Sequence, residues 1–214
     1  MSQTKAQLVS QVSDAQSNTT GGSNAGDSFT GTDANENTLF GYDAGTAITT
    51  ADNNSAFGYG ALRSNTTGSA NTAFGKVALA TNTTASNNTA VGSSALYANT
   101  SGASNTAIGL NALATNTTAS FNTAVGRDAL KLATGGDNVA VGAMALDAMT
   151  SGTRNVAVGD NGLGATTTGA HNTALGGNNM QANTTGSNNV SVGSGALTAN
   201  TTGDSNVAVG YVAL

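Results

Sequence analysis

Proline, cysteine and tryptophan are absent from the 214 residues, and charged side chains make up only 8% of them. Without cysteine there are no disulfides and no thiolate metal sites. An ordinary soluble domain carries about 25% charge. Disordered chains usually carry a high net charge, so this low charge argues against disorder as well. The net charge is −5 and the pI about 4.4, which excludes the basic footprint of a nucleic-acid binder. No run approaches the roughly 20 apolar residues of a membrane-spanning helix, so neither nucleic acid nor membrane insertion is expected. Residues 1–17 lack the apolar stretch of a signal peptide, which predicts synthesis in a cytoplasm without export by the usual route. Aromatic residues are 4% of the chain. Large side chains are too few to fill a broad core, so the chain must pack a narrow one many times over.

What is present is a repeat. An apolar residue followed by glycine recurs at Gly41, Gly58, Gly75, Gly92, Gly109, Gly126, Gly142, Gly159, Gly176, Gly193 and Gly210, with a spacing of 17 residues nine times and 16 once. The unit reads Asn-Thr-Ala-Val-Gly-x-x-Ala-Leu-x-x-Asn-Thr-Thr-Gly-x-x. Position 1 is always asparagine: Asn37, Asn54, Asn71, Asn88, Asn105, Asn122, Asn138, Asn155, Asn172, Asn189 and Asn206. Position 4 is always apolar: Phe40, Phe57, Phe74, Val91, Ile108, Val125, Val141, Val158, Leu175, Val192 and Val209. Position 8 is alanine and position 9 leucine in nine copies each.

Seventeen residues is too short for a helical-hairpin repeat, and asparagine, threonine and glycine at this density oppose helix. Positions 2–4 alternate as a strand does. The fold predicted is all-β: a parallel β-solenoid, or β-roll, of about eleven 17-residue coils over 37–214. On this reading positions 2 and 4 face inward, and position 4 stacks with the position 9 leucines into two apolar ladders that fill the core. A second short strand over positions 7–10 carries the leucine. The position 1 asparagines form a ladder of amides bonded from coil to coil. The phenylalanines widen or seal one end of the core, and the alanine rows at positions 3 and 8 permit close approach of neighbouring coils. Turns lie at the glycine of position 5 and at Asn-Thr-Thr-Gly. The single 16-residue copy loses its residue within Lys131–Asp137, in that turn region. At about 4.8 Å per coil the rod is roughly 50 Å long.

Residues 1–36 precede the repeat. Leu8, Val9, Val12 and Ala15 share one face of a predicted short N-terminal helix, read as an attachment or assembly segment. Ser17 to Glu36 is polar and glycine-rich, a linker or irregular cap. The last coil ends at its position 9, Leu214. An open edge there is a site for association, whether the chain is cut short there, the shaft continues in another protein or subunits stack end to end.

Asn88-Thr89-Ala90-Val91-Gly92 resembles the Ser-Val-Ala-Ile-Gly frame of the YadA-like heads of trimeric adhesins, which are left-handed parallel β-rolls with a shorter repeat. The longer unit, with Ala-Leu and Asn-Thr-Thr-Gly, resembles repeats of phage tail-fibre proteins, and this likeness covers 37–214. Thr4-Lys5-Ala6-Gln7-Leu8-Val9 followed by Asn18-Thr19-Thr20-Gly21 is similar to the start of some phage tail proteins. The resemblance implies a homotrimer on a virion with a role in host attachment, with other tail proteins and a host surface glycan as partners. Departures from the adhesins are expected: no signal peptide, no anchor barrel, and the host-recognition part carried elsewhere.

No residue pattern calls for chemistry, and no enzyme, cofactor or metal is predicted. His171, the only histidine, lies in a turn without a companion nucleophile. The aspartates are scattered, and Gly135-Gly136-Asp137 is only a fragment of a calcium-roll motif. Gly21-Gly22 opens no phosphate-binding helix. The Asn65-Thr66-Thr67 sequon recurs because the turn recurs. Tyr42, Tyr59 and Tyr211 at position 6 offer contacts to sugars or to another subunit. Three functions fit: a tail-fibre or spike shaft located on a virion, a self-assembling extracellular filament joined through residues 1–36, and an ice- or surface-binding solenoid using its threonine rows.

Overall fold

A computed structural model describes residues 16–29 and 33–214. The expected N-terminal helix, with Leu8, Val9 and Val12, lies outside the described residues. Within them the chain is a parallel β-solenoid. Twelve strands of three residues follow one another in a single sheet, each paired only with its chain neighbours. They are β1 (Thr19–Gly21), β2 (Thr38–Phe40), β3 (Ser55–Phe57), β4 (Thr72–Phe74), β5 (Thr89–Val91), β6 (Thr106–Ile108), β7 (Thr123–Val125), β8 (Val139–Val141), β9 (Val156–Val158), β10 (Thr173–Leu175), β11 (Val190–Val192) and β12 (Val207–Val209). The register matches repeat positions one to one, Thr89 opposite Thr106 and Val91 opposite Ile108. It carries through the short copy, Thr123 opposite Val139.

The strand β1 lies in the segment read as a linker or cap. Asn18 opens a further coil there, and it accepts from both the backbone N–H and the side-chain amide of Asn37, at 2.9 and 3.0 Å.

The expected facing of the strand is reversed. Position 3 points inward: Leu39, Ala56, Ala73, Ala90, Ala107, Ala124, Ala140, Ala157 and Ala174 are fully buried. Position 4, predicted as the core ladder, points out. Phe40, Phe74, Ile108, Val141, Val158, Leu175 and Val209 are exposed, and Phe57, Val91, Val125 and Val192 are half-buried. The reason is thickness. The position 9 leucine and position 8 alanine approach the strand so closely that position 3 takes only a small side chain, alanine or the buried Ser191. The alanine rows therefore line the interior and do not mediate contacts outside it. The coil that starts at Asn37 makes the point by exchange. Position 9 is Gly45 there, position 3 is Leu39, and a β-carbon built on Gly45 would stand 2.7 Å from Leu39 Cδ1 and 2.9 Å from Ile48 Cδ1. A large residue at position 3 occupies the space the leucine takes in other coils.

The second strand expected over positions 7–10 is a succession of turns. Positions 7 and 9 both adopt positive φ, as at Val77 (51°), Leu79 (52°), Asn111 (56°) and Leu113 (51°), which breaks extended backbone. The left-handed conformation costs about 1–2 kcal/mol at a residue with a β-carbon. Full burial of the leucine returns roughly 1.5–3 kcal/mol, so the arrangement holds only because the side chain is core. Position 5 requires glycine: at Gly109 φ is 132° and an added β-carbon would lie 2.5 Å from the Gly126 carbonyl oxygen.

Candidate functional site

The sheet presents one continuous feature to the outside. Positions 2 and 4 of each strand flank the inward position 3, and both point outward, so the apolar residues of position 4 form a row from β2 to β12. At about 4.8 Å per step it is roughly 50 Å long. At one end Phe40 stacks on Phe57 with ring centroids 5.4 Å apart, and Phe57 meets Phe74 at 5.5 Å. These rings therefore sit outside the core they were expected to widen or seal. Val91, Ile108 and Val125 continue the row. Towards the other end position 2 also becomes apolar, at Val139, Val156, Val190 and Val207. The outward face thus changes from aromatic and threonine-bearing to doubly aliphatic along its length. Tyr42 and Tyr59, in the adjoining position 6 row, stack at 5.5 Å with 8° between their planes. Each ring covers one face of the other, which leaves less aromatic surface for a sugar ring than two separate tyrosines would.

Two asparagine ladders run inside. The position 1 ladder expected from the repeat extends from Asn18 to Asn206. In it the backbone N–H, and at nearly every step the side-chain amide, donates to the Oδ1 of the preceding coil; Asn88 to Asn71 measures 3.0 and 3.3 Å. The second ladder, at position 12, is one that sequence reasoning missed. Asn82, Asn99 and Asn116 each donate to the asparagine one coil back, at 2.7, 2.9 and 3.0 Å. Its signal is the recurrence of asparagine at the head of the turn, at Asn65, Asn82, Asn99, Asn116, Asn183 and Asn200, which turn preference alone does not demand. Beside it the position 13 threonine hydroxyls donate to the threonine carbonyl of the next coil, as Thr66 does to Thr83 at 2.9 Å.

Charge gathers around Asp128. Arg127 Nη1 and Lys131 Nζ lie 2.8 and 3.4 Å from its carboxylate. The Asn111 amide, above all, holds its pKa below the usual carboxylate value. Burial pushes Asp147, one coil on, the other way. His171 is exposed, and among the described residues no three acidic, histidine or cysteine side chains cluster to hold a metal. No helix among them is long and apolar enough to cross a membrane. Compared with known proteins, the chain matches no family model, no curated protein and no solved structure.

Proposed function

We propose that this chain is a structural, non-enzymatic protein, the shaft of a phage tail fibre or spike that supports host attachment, and that it works as a homotrimer. The observation that carries the reading is the outward apolar row. A face roughly 50 Å long and about 10 Å wide exposes on the order of 500 Å², the upper end of what a monomeric protein leaves open. Its shape is a straight strip, which suits a partner of the same length and repeat, namely another copy. Three strips around a common axis would bury the row and leave the turns and charged residues outside. A stiff rod that multiplies one coil and holds no reactive cluster among its described residues is suited to spacing and presentation rather than catalysis.

Sedimentation equilibrium tests this. The expected mass is three times the 20.7 kDa of the chain. Val125→Asp with Val158→Asp should give a folded single chain, because both side chains point away from the core. A natural chain that sediments as a monomer at all concentrations would sink the proposal, and a mass that grows without limit would favour the end-to-end filament. The outward threonines Thr72, Thr89, Thr106 and Thr123 favour the ice-binding reading, although the row beside them changes from Phe74 to Val91, Ile108 and Val125 and so interrupts a level face. Thermal hysteresis in the trimer-breaking variant would favour it.

A further inference from the structure

In the irregular coil, 122–137, the position 12 ladder stops and the position 1 ladder keeps its backbone bond but loses its side-chain bond, at adjoining points. In regular coils the amides of positions 1 and 12 donate to one shared carbonyl at position 15. Asn71 and Asn82 both reach the Ala85 carbonyl at 2.9 Å, and Asn105 and Asn116 reach that of Ala119 at 2.9 and 3.0 Å. The position 12 amide of a coil therefore lies beside a position 1 amide. It also donates to the position 12 oxygen of the coil before. Position 12 is Ala133 in the irregular coil, and Met149 and Thr166 in the two coils after it. Two polar atoms are orphaned at once: Asn116 Oδ1, which lacks a donor, and Asn122 Nδ2, which lacks an acceptor. Both side chains are fully buried, as is Ala133.

We infer that this coil binds one buried water molecule in the place that a position 12 carboxamide takes elsewhere. The water donates to Asn116 Oδ1 and accepts from Asn122 Nδ2. The Gly135 carbonyl, which stands near the position 15 site, is its second acceptor. A carboxamide replaced by hydrogen frees roughly the 30 Å³ that one water occupies, and a buried water needs about two to four polar partners. The site offers three. Leaving both amides dry would strand a donor and an acceptor inside the protein, where each retains its full desolvation penalty. The other orphaned atoms, Asn179 Oδ1 and Ser191 Oγ, lie further along the rod and take no part.

The inference is independent of the oligomer. A crystal structure of the full chain at atomic resolution should show a single density peak within hydrogen-bond distance of Asn116 Oδ1 and Asn122 Nδ2. In Ala133→Asn the peak should be replaced by the new amide, with the melting temperature raised by about 2–4 °C as the position 12 ladder gains one rung. A natural chain without the peak overturns the inference. So does a peak that persists in Ala133→Asn beside an ordered asparagine.

Discussion

Leu39 and Phe40 are chain neighbours on one strand, yet they answer to different constraints. Leu39 faces a space so thin that its size had to be exchanged against Gly45. Phe40 faces outward, where the same row accepts phenylalanine, valine, isoleucine and leucine. The inner row is nearly uniform and small, and the outer row is uniformly apolar but variable in size. Uniform size marks a packed interior. Apolarity without uniform size marks a surface whose partner is not supplied by the coil itself.

Three sets of substitutions sharpen that contrast. Leu39→Ala should destabilise the chain by about 2–5 kcal/mol, the range for emptying a core position. Adding Gly45→Leu should restore part of the loss, because leucine occupies that left-handed position in other coils, while Ile48 Cδ1, 2.9 Å from the added β-carbon, must turn aside. Denaturant unfolding of the single and double variants measures both, and a loss that the second change does not repair would end the account of this coil. Next, Ala107→Val should cost about 1–3 kcal/mol by overpacking. Ile108→Val, the adjacent outward change, should stay within about 0.5 kcal/mol in the dissociated chain. Equal effects would mean that the two faces are not distinct.

The smallest effect belongs to the turns. Burial raises the pKa of Asp147 above its unfolded value, so folding favours its protonated form. Its penalty is absent below the unfolded pKa and is fully present once pH exceeds the folded one. Asp147→Asn should therefore raise the melting temperature slightly at neutral pH, by the equivalent of about 0.5 kcal/mol or less. The gain should vanish once the pH falls below the ordinary aspartate range, near pH ~3. A gain that is the same at both values would show that charge burial is not its cause.

Much of the architecture was legible in the repeat. Its 17-residue spacing, the position 5 glycine and the position 1 asparagine predict stacked coils, and the short copy predicts that the missing residue falls in a turn. The second asparagine ladder was hidden because Asn-Thr-Thr-Gly is also a good turn. The turn at positions 7–9 was hidden because leucine rarely adopts positive φ, and core burial holds it there.

The sequence by itself determined the coil, its period and its all-β class, since these follow from local spacing and turn chemistry. Only the tertiary structure decided which side of the strand is inside. Alternation separates two faces but does not say which is buried. That choice rests on the distance between opposite walls of the coil, which here admits alanine and turns the larger side chains out.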